Sequence, residues 1–130
     1  MNESYNSNHG TVVNCMDGMI QLPVIEFVKN VWNVGWVDVI TEAAPDKILF
    51  ENSDNETILR IHRNIQISLE GQKAKHLAIV SHSHCDSHKA SDNKKVEMLH
   101  CIVGNLKRIY PNADVMGIWI DKEEKICQIE

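Results

Sequence analysis

The sequence predicts an α/β fold: three-layer αβα, with a mostly parallel central sheet of about five strands and the last strand antiparallel at the edge. Three observations carry this prediction. Short apolar runs alternate with segments of helical period, in the order β-α-β-α-β-α-β-β. The run His76-Leu77-Ala78-Ile79-Val80 is apolar almost throughout, as a strand covered on both faces must be. Val96, Leu99, Val103, Leu106 and Tyr110 recur in steps of three and four, the clearest helical period in the chain.

Residues 1–10 are polar and read as a flexible tail, with His9 solvated. Residues 11–130 form a single domain, which a chain of 130 residues has the bulk to support. The first strand is residues 11–14, and Gly18 permits a turn after it. Pro23 suits the first turn of a helix, where its missing N–H costs nothing. Val24, Phe27, Val28, Val31 and Trp32 then recur at helical spacing until Asn33 and Gly35 end the helix. Residues 36–40 are the second strand. Ala43-Ala44-Pro45 reads as a break, and Ile48-Leu49-Phe50 is an apolar segment of undetermined type.

A second helix is expected over residues 56–69, with Ile58, Ile61, Ile65 and Leu69 on its buried face, stopped by Gly71. The central strand 76–80 follows. Asp92 or Asn93 is the expected cap of the third helix, which Pro111 and Asn112 end. Residues 115–120 are a further strand, and residues 126–129 alternate as an antiparallel edge strand. Trp32, Trp36 and Trp119 read as core or interface anchors.

Hydrophobic residues make up 43% and charged residues 24%, the proportions of a soluble globular protein. The formal charge of −5 comes without a basic stripe, which argues against nucleic acid and anionic membranes as partners. No apolar run approaches the roughly 20 residues of a membrane span, and residues 1–10 lack a signal-peptide core. The expected location is the reducing cytoplasm. There the four cysteines, Cys15, Cys85, Cys101 and Cys127, serve as metal ligands or buried thiols rather than disulfides. Cys101 and Cys127 are read as core thiols, and His76 and His100 as surface or edge residues.

The chemistry concentrates in Ser81-His82-Ser83-His84-Cys85-Asp86-Ser87-His88, which holds three of the seven histidines directly after the central strand. His82 and Cys85 stand at H-x-x-C spacing, able to grip one ion from a single turn. Cys15 and Asp17 follow the first strand in the same way. In a parallel sheet, two strands joined by a helical crossover can lie side by side with their ends adjacent. Ligands of such sheets bind beyond the carboxyl ends of the strands, at the switch in strand order. Cys15, His82 and Cys85 then form a Cys₂His set for one Zn²⁺ per chain, with Asp17 or water fourth. Thiolates are soft ligands and favour zinc over magnesium or calcium. Alternatively, both cysteines are buried apolar residues and Asp17 is a turn or helix cap. A redox role for Cys15 and Cys85 would require free, adjacent thiols.

Cys15-Met16-Asp17 followed by His82-Ser83-His84-Cys85 resembles the β-class carbonic anhydrases, with a C-x-D-x-R motif after the first strand and an H-S-x-C motif after the third. Residues 15–23 look most like a short, divergent branch of that class. The resemblance implies zinc held by Cys15, His82 and Cys85, reversible hydration of carbon dioxide to bicarbonate, and a homodimer or higher homo-oligomer with its site at the interface. It also implies a catalytic role for Asp17.

The sequence departs from the motif at Met19, where the family has an arginine that draws the aspartate off the metal, and at Asp86, where it has glycine. Without that arginine, Asp17 is expected to close the metal shell as fourth ligand. Arg60, His62, Arg63 and Lys89 are candidates to replace the lost partner. His84 and His88 are candidates for proton transfer, with a solvated loop position the plainer reading of His88. The start of the third helix, near residues 92–95, offers backbone N–H groups and lysine charge to an anion such as bicarbonate. Two other readings stand beside the anhydrase: a catalytically silent zinc domain of the same fold, and a hydrolase of a carbon dioxide analogue such as carbonyl sulfide.

Overall fold

Strand β1, His9–Cys15, is buried from Gly10 to its last residue, which puts it at the centre of the sheet rather than at an edge. The computed structural model describes residues 7–130. In it β1 begins within the stretch read as a tail: His9 and Gly10 pair with Trp36 and Val37 of β2, Trp36–Glu42. His9 is half-buried, and its ring nitrogen Nδ1 meets Asp38 Oδ1 at 2.9 Å. The rest of the predicted tail, residues 1–6, lies outside the described residues.

On its other side β1 pairs in parallel with β3, His76–His82, which pairs in parallel with β4, Asp114–Ile120. β5, Ile126–Ile129, closes the edge antiparallel to β4, as the alternation predicted. The strand order is β2-β1-β3-β4-β5. The chain leaves β1 toward β2 and returns on the far side as β3, so the switch in strand order falls between β1 and β3.

Alternate strand residues feed two cores. On one face Val12, Ala78, Val80 and Ile118 pack against Val24, Val28 and Trp32 of α1, Gln21–Trp32. On the other, Val13, Leu77, Ile79 and Val115 meet Ile61 and Ile65 of one helix and Leu99, Ile102, Val103 and Leu106 of another. Trp32 lies so close over β1 that a Cβ on Gly10 would stand 2.4 Å from its ring, so no side chain fits there. His76, read as an ordinary edge residue, is half-buried and stacks on the same indole at 5.1 Å.

The undetermined segment is a helix. α2 runs Pro45–Glu51, with Pro45 in its first turn instead of marking a break. It escaped notice because seven residues are too few to display a period. α3, Asn55–Gln66, is capped by Asp54, whose carboxylate accepts from Thr57 N at 3.1 Å. It continues through a π-helical turn, Ile67–Gly71. α4, Asp92–Ile109, is capped by Ser91, not by Asp92 or Asn93: Ser91 keeps an extended backbone and its Oγ accepts from Lys94 N at 3.2 Å. Cys101 and Cys127 are exposed, against the expectation of core thiols: one is on the outer face of α4 and the other on edge strand β5.

Candidate metal centre

Cys15 is the last residue of β1 and His82 the last of β3. The parallel pairing therefore delivers a thiol and an imidazole to the same edge of the sheet, beside the switch point. Cys85 reaches back from the loop after β3, where His84 takes a left-handed backbone (φ 56°) and Cys85 bridges to His88. One ligand atom from each of Cys15, His82 and Cys85 lies within 4.8 Å of the others, and all three residues are buried. The two sulfurs are 3.9 Å apart. His82 Nδ1 is directed at Ser83 O, 2.8 Å away, which leaves Nε2 the free nitrogen; it is buried without a hydrogen-bond partner. A buried orphan nitrogen beside two buried thiols fits a metal ion as its missing partner.

The electrostatics of the three groups are linked. Burial works to raise the Cys15 thiol, but the His82 ring beside it and backbone N–H groups of Asp17 and Ala44 bring it down to about 7. Burial also pulls His82 down, yet the neighbouring Cys15 sulfur outweighs it and the imidazole pKa is raised. Cys85 is pushed up to about 11, by burial first and then by the adjacent Cys15. Two thiolates this close repel, and a dication between them removes the conflict.

Asp17 stands outside the three-residue cluster. Its Oδ1 accepts from Met19 N at 3.0 Å and caps a single 3₁₀ turn, Gly18–Ile20. Met19 itself points outward and is 56% exposed. None of the four candidate replacement residues takes over the arginine's part in the contacts seen. Arg60 Nε pairs with Glu42 at 3.0 Å, His62 meets the Tyr110 hydroxyl, Lys89 sits 3.7 Å from Asp86, and Arg63 is in the last turn of α3. His84 is exposed, whereas His88 is 3% exposed with Nε2 facing Asp46 Oδ2 at 3.6 Å.

The structure adds residues that the motifs did not single out. Gln21 Nε2 donates to Cys15 O at 2.6 Å and to Asp17 O at 2.8 Å, tying the first ligand to its turn. Ser81 Oγ donates to Asp46 at 2.7 Å, and Lys95 Nζ donates to His82 O at 3.0 Å. A buried lysine at residue 95 was legible only as a charge near the helix start. Asp92, next to it, accepts from Ser83 Oγ at 2.9 Å.

Three structures resemble the chain closely enough to compare folds. The β-carbonic anhydrase isoform I of Trichomonas vaginalis is 16% identical, with a TM-score of 0.56, over 99% of this chain and 85% of that one. A carbonic anhydrase from Glaciozyma antarctica is 15% identical, with a TM-score of 0.61, over 98% and 87%. A tetrameric β-carbonic anhydrase from Sordaria macrospora is 12% identical, with a TM-score of 0.57, over 95% and 81%. At these identities the likeness is one of fold. No curated protein matches the chain. The family model described as "Putative carbonic anhydrase" matches residues 5–130, which include both ligand loops. The chain therefore belongs to that carbonic anhydrase family, and its fold is the one seen in the β-class enzymes.

Proposed function

We propose that the protein is a zinc-dependent carbonic anhydrase that hydrates carbon dioxide reversibly to bicarbonate. The observation that carries this reading is the buried Cys15–His82–Cys85 cluster at the switch point, with His82 Nε2 orphaned toward the two thiols. The donor set is soft and three-fold, which suits one Zn²⁺ per chain and leaves a fourth position. Bound there, zinc would act as a Lewis acid and lower the pKa of water to about 7.

The chain's own residues do the rest. Asp17 is the gate. With Oδ1 accepting from Met19 N, the other oxygen of Asp17 would be free to hold a substrate water beside the site; released from the cap, Asp17 would be able to join the residues that hold the metal. The backbone N–H thus does part of what an arginine does elsewhere in the class. Of the two loop histidines, His84 is assigned to proton export because it faces solvent, and burial leaves His88 without that route. Met16, Met19 and Leu22 form an exposed apolar rim beside the site, which suits a homodimer or higher homo-oligomer. Among the described residues no helix is long and apolar enough to cross a membrane. Four unpaired thiols suit a reducing cytoplasm.

Two other readings each have an observation in favour. Among the described residues no guanidinium meets Asp17, whose carboxylate accepts from Met19 N instead, which favours a catalytically silent zinc domain. A cavity of about 100 Å³ opens beside His82 between Met19, Ile20, Pro23 and Ile120 on one side and Asp121, Lys122 and Glu124 on the other, and its size suits a triatomic substrate such as carbonyl sulfide. Stopped-flow hydration of carbon dioxide by protein of measured zinc content, from about pH 7 to 9, separates them. One zinc per chain with hydration above the buffer rate supports the anhydrase. Zinc without hydration supports the silent domain, and hydrolysis of carbonyl sulfide alone supports the analogue hydrolase. Absence of zinc from protein offered it would overturn all three.

A further inference from the structure

Behind the second ligand loop lies a buried charged cluster drawn from three elements. Asp46, on the first turn of α2, is 5% exposed. Its Oδ2 accepts from Ser81 Oγ at 2.7 Å, one residue before the ligand His82, and faces His88 Nε2 at 3.6 Å. His88 in turn donates its backbone N–H to Cys85 O at 3.1 Å. Lys95, on α4 and 2% exposed, donates Nζ to His82 O at 3.0 Å. The carboxylate thus ties the loop by a hydrogen bond at Ser81 and lies against its far end at His88, and the ammonium holds the backbone of His82. Burying two full charges is costly and tolerated only where the surroundings fix them. Here what they fix is the 82–88 loop. The left-handed Ala44 (φ 54°), buried two residues before Asp46, sets the direction in which α2 enters.

We propose that Asp46 and Lys95 are positioning residues for the metal site: together they hold the His82–Cys85 pair at ligand geometry before any ion arrives. This rests on the metal-binding reading above, and the test is built to tell the two apart. Asp46→Asn and Lys95→Met keep shape and remove charge. Each is compared with the unaltered protein for Co²⁺ affinity, for the Co²⁺ ligand-field spectrum, and for the rate at which iodoacetamide alkylates Cys85 in metal-free protein, followed by peptide mass mapping.

The expected result is Co²⁺ binding weakened about 10- to 100-fold, the range for residues that support metal ligands. Displaced ligand-field bands and Cys85 alkylation faster by about tenfold should accompany it, with Cys15 alkylation unchanged. Folded variants that match the unaltered protein in all three would overturn the proposal. Should Asp46→Asn fail to fold, Ser81→Ala removes one arm of the same cluster and must show the same effects in weaker form. If the unaltered protein binds no Co²⁺, the metal reading falls, and the Cys85 alkylation rates still decide whether the cluster holds the loop.

Discussion

Loop 15–21 is tied by side chains of its own neighbours, whereas loop 82–88 is tied by side chains from two helices distant in sequence. In the first, Asp17 caps the 3₁₀ turn through Met19 N, and Gln21 reaches back to Cys15 O and Asp17 O. These side-chain ties span six residues or fewer, the contacts from farther away being backbone ones from Glu42 and Ala44, and the outer side chains Met16 and Met19 face solvent. In the second, Asp46 and Lys95 enter from α2 and α4 and are themselves buried. The difference teaches that the two thiols are prepared differently. Cys15, close to 7, is ready to ligate near neutrality. Cys85, near 11, must surrender a proton when metal binds.

The sharpest way to break the comparison is to remove a ligand. Cys15→Ser and Cys85→Ser should each weaken zinc binding by more than about 100-fold, beyond what loss of a supporting residue does; competition with a chromophoric chelator measures it. Next comes pH. The Cys85 proton is held until about 11, so zinc affinity should rise at least about tenfold per pH unit between 7 and 9, because each ion bound releases that proton, and more steeply near pH 7, where Cys15 and the raised His82 also give up protons. A pH-independent affinity over that range would erase the distinction between the two thiols.

Smaller effects belong to the first loop. Gln21→Ala leaves two carbonyls near the site without their donor and should cost about 1–3 kcal/mol, read from denaturant unfolding of the metal-free protein. Asp17→Ala removes only a cap and should cost about 1 kcal/mol by the same measurement. In the second loop, His84→Ala places alanine at an exposed position with a left-handed backbone and should cost no more than about 1 kcal/mol. It should still slow turnover in weakly buffered solution, where proton export limits the rate.

The fold was largely legible because its signals are local and repeated. The apolar runs of β1 and β3, the step-three-and-four period of α4 and the alternation in β5 each survive in one dimension. The short α2 did not. Its seven residues give too little period, and Pro45 looked like a break when it was a start. The residue types and spacing of the candidate metal site were legible too, since H-x-x-C is a local arrangement. Gln21, although only six residues from Cys15, carries no motif that marks it as a tie.

Sequence by itself determined the order of the strands and longer helices, the three candidate metal-ligating side chains and the departure at Met19. Those follow from periodicity and from residue chemistry, both of which are properties of a string. Only the tertiary structure decided that β1 and β3 are adjacent, which brings Cys15 within 3.9 Å of Cys85 across seventy residues of chain. It also decided that Asp46 and Lys95 converge behind the loop, and that Cys101 and Cys127 stay outside on the surface. Desolvation is the physical reason. Whether a charge or a thiol is solvated or buried against a partner depends on which faces pack together, and no single segment carries that information.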